Sequence, residues 1–210
     1  MTPSKQSTAA EQSLAKLKEW GEAILIALVL ALFIRSFVVQ AFKIPSGSML
    51  ETLQIGDHLL VSRFAYDIKV PFTNIVIFPM GDPQHGDIIV FEYPEDPSKD
   101  FIKRVIGLPG DKIEIRGQTV LRNGEALTEP YSRHTGALSV EQPLDMFQHP
   151  FTVPENQFFV LGDNRDESRD SRYWGFVDRE AIVGKALVIY WSWNGQDMNV
   201  RWDRLGHFFD

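Results

Sequence analysis

The first strong pattern in the chain is a run with no polar position. Residues Ala23 to Ile34 read AILIALVLALFI, flanked by Trp20, Glu22 and Arg35. An amphipathic surface helix would carry a polar face, and this run has none. Taken as a helix over residues 20–40, the segment rises about 30 Å, which matches the hydrocarbon core of a bilayer. The flanking charges can snorkel to the headgroups. The sequence therefore predicts a transmembrane anchor at 20–40, a short cytoplasmic tail at 1–19 and a large domain at 41–210. A cleaved leader is the competing reading, with Val39-Gln40-Ala41 as its processing site. Arg35 and the long polar segment before Trp20 argue against it. Lys5, Lys16 and Lys18 on the short side place the tail in the cytoplasm and residues 41–210 outside it.

Beyond the anchor the pattern shortens and alternates. His58–Phe64, Asp87–Tyr93, Phe101–Ile106, Lys112–Arg116, Gln157–Leu161 and Ile182–Trp193 are apolar or alternating runs bounded by Gly, Pro or Asp. Residues 119–127 place Asn123-Gly124 where a two-residue hairpin turn needs positive φ. Residues 128–155 lack a period and read as an insertion. The fold class is mainly β: an N-terminal transmembrane helix followed by an antiparallel, partly closed β-sheet domain.

Composition narrows the chemistry. The net charge of −7 excludes a nucleic-acid partner, which would demand a basic surface. With no cysteine there is no thiol nucleophile, no Cys-ligated zinc and no disulfide. The five histidines are scattered without metal-ligand spacing, so no metal or other cofactor is expected.

Three stretches are candidates for function. Ile44-Pro-Ser-Gly-Ser-Met49 follows the anchor; if it is extended, Ser46 and Ser48 face the same way, a hydroxyl nucleophile beside a second hydroxyl donor. A plain Ser/Gly/Pro linker has the same composition. Lys103 lies in Phe101-Ile-Lys-Arg-Val105, where a strand puts Phe101 and Val105 on its own face and Arg104 on the other. To act as a general base, that lysine must fall from about 10.4 to near 7, a cost of roughly 4 kcal/mol that apolar burial can supply. Most strand lysines are instead solvated. The third stretch, Gly162 to Phe176, has seven charged residues between Asp163 and Arg172. It lacks a calcium-loop order, and reads as a solvated loop or as an internally paired one, for example Asp170 with Arg172.

PSGSM, GDIIVF, FIKRVIGLPGD and GDNRDESRDSRYWGF, in this order over residues 44–176, resemble the sequence boxes of the bacterial type I signal peptidases. These are membrane-bound Ser–Lys serine proteases. The resemblance implies Ser48 as nucleophile, Lys103 as general base, and an oxyanion hole from the Ser46 hydroxyl and the Ser48 N–H. It implies that Ser168 orients the lysine and that Asp170 and Arg172 support it. The implied partners are membrane-tethered precursors with signal peptides, cut at A-x-A-like sites, and the lipid bilayer. The implied location is the bacterial inner membrane, single-pass, with the catalytic domain on the periplasmic side. Eight residues separate Gln40 from Ser48, which keeps the nucleophile within about 26 Å of the anchor's end. Phe33, Phe37, Phe42, Phe72, Phe78, Trp191, Trp193 and Trp202 serve either lipid contact or the core. Glu51 stands where the family pattern carries proline. Two other functions fit the same features. One is a specialised Ser–Lys peptidase for a single pilin or conjugation precursor, and the other a non-enzymatic, membrane-tethered β domain.

Overall fold

The computed structural model describes residues 9–33, 39–69, 76–136 and 143–209. It divides into two units, residues 1–38 and 39–210. The first contains helix α1, Ala9–Phe33. Leu17, Trp20, Ile24, Leu25, Ile26, Leu28 and Val29 are all more than half exposed on it, on every side of the helix. Among the described residues no helix is long and apolar enough to cross a membrane. The helix also differs in extent from the 20–40 expectation. It starts earlier and is described as far as Phe33, and Val39 and Gln40 are strand residues. Residues 34–38 of the expected anchor, with Phe37, lie outside the described residues, as does Phe72.

The second unit is built from antiparallel strands. In chain order these are β1 Val39–Lys43, β2 Asp57–Ser62, β3 Asp67–Lys69, β4 Val76–Pro79 and β5 Ile88–Tyr93. There follow β6 Asp96–Gly107, β7 Lys112–Arg116, β8 Thr119–Arg122, β9 Glu125–Ala126 and β10 Phe151–Thr152. The last are β11 Gln157–Leu161, β12 Val177–Asp178, β13 Ile182–Asn194 and β14 Asn199–Val200, with a short helix α2, Ser171–Trp174, after β11. The main sheet runs β1-β2-β13-β5-β6-β11-β12, with β14 on β13. A smaller sheet, β10-β7-β8-β9, and a β3-β4 ribbon complete the strands. The described pairings leave the main sheet as an open path, with β1 and β12 at its ends.

Local chemistry accounts for much of this. In β2, Leu59 and Val61 are fully buried while Leu60 and Ser62 on the other face are half-buried, the alternation a strand imposes. The β8–β9 turn falls at Asn123-Gly124, both with positive φ (56° and 89°), as a primed hairpin turn requires. The segment expected as an unpatterned insertion is not wholly so, because Phe151 and Thr152 pair with β7 and Phe147 is buried. Those two aromatic rings pack with Phe159 and Phe176 in one of three apolar clusters. Another cluster gathers Ile44, Met49, Leu53, Leu59 and Ile189. Burying side chains such as Ile44, Met49 and Leu53 is worth about 1.5–3 kcal/mol each, so the chain on both sides of Ser48 is pinned to the core.

Candidate active site

The segment from Ser46 to Thr52 is a bend and turn, so the condition under which Ser46 and Ser48 would alternate as in a strand is not met. Leu50 N–H donates to the Gly47 carbonyl (3.2 Å) and Leu53 N–H to the Met49 carbonyl (2.8 Å). The reason is apolar anchorage: Met49 and Leu53 both reach the core, and a strand at this place would put them on the same side only by sacrificing Ile44. The turn presents Ser48 at the wall of a cleft of about 440 Å³, lined by Pro45 to Ser48 on one side and Asp100 to Lys103 on the other. Ser46 is exposed there.

Strand β6 brings Lys103 to the opposite wall. Its Nζ lies 2.7 Å from Ser48 Oγ and donates to its neighbour's carbonyl, Ile102 O, at 3.0 Å. The side chain crosses the Phe101 ring, 5.5 Å from its centroid. Lys103 is only 3% exposed. That burial holds its amine down to about 8, against the partial opposition of Asp170 and Asp163, with Arg172 adding to the depression. Keeping the amine neutral near that pH costs about 3 kcal/mol relative to a solvated lysine.

The charged stretch is a paired scaffold: Asp170 and Arg172 pair within it, while Asp163, Arg165 and Arg169 pair with Arg104, Glu129 and Glu95 outside it. Asp170, fully buried, accepts from Arg172 Nε (2.8 Å) and Nη2 (2.9 Å) and from Gly162 N–H (3.0 Å). Arg172 also donates to the Arg165 carbonyl, and Arg165 forms a two-pronged pair with Glu129 (2.8 and 2.6 Å). Gly162 sits where a Cβ would collide with Ser168 Oγ and the Ser48 carbonyl. Ser168 itself is buried, and its hydroxyl has no hydrogen-bond partner among the described residues. The contact to Lys103 that the resemblance implies for Ser168 is therefore not made in this structure; the two hydrogen bonds of Lys103 go to Ser48 and Ile102.

Three residues that sequence reasoning did not single out belong to this assembly. Arg104 donates from Nε and Nη2 to Asp163 (2.9 and 2.7 Å) and from Nη1 to the Gly86 carbonyl (2.9 Å), with its guanidinium 3.9 Å from the Tyr131 ring centroid. Asp163 also accepts from Thr52 Oγ1, which ties the nucleophile turn to the same pair. Asn164, fully buried, reaches the turn directly: its N–H donates to the Ser48 carbonyl (3.1 Å) and its Nδ2 to the Gly47 carbonyl (3.0 Å). The available signal was position alone, since all three sit inside the motifs. Glu51, in place of the family proline, pairs with Arg133 at 2.6 Å on the surface.

A buried lysine amine against a serine hydroxyl, with a cleft in front and a paired scaffold behind, describes a hydroxyl-nucleophile hydrolase. The family described as signal peptidase, peptidase S26, matches residues 17–191. The chain is 38% identical over 214 residues to signal peptidase I of Pseudomonas aeruginosa, covering 87% of this chain and 75% of that one. It is 40% identical over 201 residues to signal peptidase I of Leptolyngbya laminosa, covering 92% and 89%. A crystal structure of a signal peptidase I from Enterococcus faecalis has 38% sequence identity and a TM-score of 0.41, covering 50% of this chain and 96% of that chain. The chain belongs to the signal peptidase family S26, and is a serine endopeptidase of that family.

Proposed function

We propose that this chain removes N-terminal signal peptides from exported precursors, with Ser48 as nucleophile and Lys103 as general base. The observation that carries the assignment is the 2.7 Å contact between Lys103 Nζ and Ser48 Oγ inside an apolar pocket that depresses the lysine to about 8. Neutral Lys103 takes the Ser48 hydroxyl proton as Oγ bonds to the scissile carbonyl carbon. The oxyanion is held by the Ser48 N–H and the Ser46 hydroxyl. The lysine returns the proton to the leaving amine, then activates the water that hydrolyses the acyl-enzyme. Ser168, Asp170 and Arg172 have supporting roles. Asp170 and Arg172 fix the loop that carries Gly162, and the Ser168 hydroxyl is free to accept from the protonated amine that forms during acylation.

The substrate side follows from the sheet. On one flank of β6, residues 100–104 pair with β5; on the other, β11 pairs only with Arg104, Val105 and Gly107. Among the described residues no strand pairs with the cleft-side edge ahead of Arg104, and an extended peptide would add there as a strand. Phe101 and Ile102 line that cleft and suit small aliphatic side chains. The membrane location belongs to the same reading. The apolar run Ala23–Ile34 and the exposed apolar residues around α1 support an anchor, and Phe78, Trp191, Trp193 and Trp202 are exposed on the catalytic unit.

The test is cleavage of an A-x-A precursor by the detergent-solubilised full chain. Wild type should cut it, and Ser48→Ala and Lys103→Ala should not, with circular dichroism unchanged. A folded wild type that leaves general precursors intact but cuts one pilin-type precursor would favour the specialised peptidase. Cleavage surviving in either variant would overturn the dyad.

A further inference from the structure

The reaction needs the Ser48 N–H aimed at the cleft, and within the turn only the Leu50 N–H bears on that. The peptide between Gly47 and Ser48 is trans, so its C=O and N–H point in opposite directions. Whatever holds the Gly47 carbonyl therefore sets the direction of the Ser48 N–H. That carbonyl accepts from Asn164 Nδ2 at 3.0 Å and, within the turn, from Leu50 N–H at 3.2 Å, and the Ser48 N–H has no acceptor among the described residues. The next peptide is gripped by the same residue, because Asn164 N–H donates to the Ser48 carbonyl at 3.1 Å. One buried asparagine thus holds both peptide planes that flank the nucleophile.

We infer that Asn164 is the positioning residue of the oxyanion hole, an inference that rests on the Ser48–Lys103 reading. Its amide is well placed to keep this orientation. Nδ2 faces two acceptors, Gly47 O and Glu167 Oε2 (3.1 Å), so the donor end must point at the turn. Its backbone is clamped from the other side. Arg133 bridges to Asn164 in parallel, Arg133 N–H donates to Asp163 O (2.7 Å) and Arg165 N–H donates to Arg133 O (2.9 Å). Aspartate has nearly the same shape but only acceptors when ionised. At this place its carboxylate would face the Gly47 carbonyl and Glu167, repel both, and drive the Gly47–Ser48 peptide to rotate.

The experiment compares Asn164→Asp and Asn164→Ala with wild type in the full detergent-solubilised chain. It measures kcat and KM on an A-x-A precursor, the pH profile, thermal midpoints, and inhibition by a peptide aldehyde whose adduct with Ser48 carries the oxyanion. Direct removal of an oxyanion donor costs about 10²–10³ in kcat, so misaiming one should cost about 10- to 100-fold. The expected result is that loss in kcat with KM within about twofold, aspartate worse than alanine, and aldehyde affinity weakened in parallel. The pH midpoint set by Lys103 should stay in place. Alanine worse than aspartate would show that the residue only fills space. A moved pH midpoint would show that it acts through the lysine, and either result overturns the inference. If Ser48→Ala retains cleavage, the dyad reading itself fails. If the dyad stands while Asn164→Asp keeps wild-type kcat and aldehyde affinity, only the role of Asn164 is lost.

Discussion

Two adjacent cations on β6, Lys103 and Arg104, are buried on opposite faces of one strand and are treated in opposite ways. Arg104 meets a carboxylate head-on: Asp163 accepts two of its hydrogen bonds, Gly86 O accepts a third, and the Tyr131 ring covers the guanidinium. The guanidinium thus has a carboxylate, a carbonyl and a ring as direct partners. Lys103 receives only a serine hydroxyl and one carbonyl, with an aromatic ring alongside and the carboxylates of Asp170 and Asp163 acting from a distance. Desolvation outweighs those carboxylates and the amine drops to about 8. Burial alone does not make a base. Burial without an adjacent counter-charge does, and the strand's alternation delivers one cation to each environment.

The contrast can be broken from either face. The largest effect should come from the Lys103 side. Lys103→Arg keeps a permanent charge in the pocket and should abolish precursor cleavage as fully as Ser48→Ala, by about 10⁴-fold or more in kcat. On the Arg104 side, Asp163→Asn leaves a buried charge without its partner. It should destabilise the fold by about 3–5 kcal/mol, read as a lower thermal midpoint, while kcat well below that midpoint changes far less. Gly162→Ala tests the support between the two. Its methyl would push apart Ser168 Oγ and the Ser48 carbonyl, and a displacement near 1 Å should cost about 10²-fold in activity with CD retained.

Smaller effects sharpen the picture. Because the neutral amine is the active form and burial depresses it, kcat/KM should rise about tenfold per pH unit below pH 8 and level off above it. A plateau already reached at pH 6 would mean that another group is the base. Ser168→Ala removes a buried hydroxyl that has no partner among the described residues, so stability should change by no more than about 1 kcal/mol. Activity should still fall about tenfold, because the protonated lysine loses an acceptor; unchanged kcat would remove Ser168 from the mechanism.

Much of this was legible in the chain. Alternation and turn residues located the principal strands, and the hairpin at Asn123-Gly124 follows from local φ preference. The short strands β1, β3, β4, β10, β12 and β14 were not legible, because pairing with a distant partner and not local pattern decides them. At the site, the motifs pointed to Ser48, Lys103 and the Asp170–Arg172 pair. They left open whether the Ser46–Ser48 segment is extended, and it is a turn; Ser168, which the resemblance implies orients the lysine, makes no hydrogen bond to it. The turn at Ser48 depends on where the core takes hold of Met49 and Leu53, which local pattern along the chain does not reveal.

By itself, then, the sequence determined which groups are available: a serine next to glycine, a lysine flanked by apolar residues on a strand, and a loop with enough opposite charges to pair internally. Tertiary structure decided which of those groups meet. It set the lysine against Ser48 with no carboxylate beside it, gave Asp163 to Arg104, and placed Asn164 behind the nucleophile's peptide. Periodicity and turn chemistry act over a few residues and can be read along the chain. Desolvation, pairing and the aim of a peptide plane are properties of surroundings, and those exist only once β6, the turn after β1 and the loop after β11 have packed together.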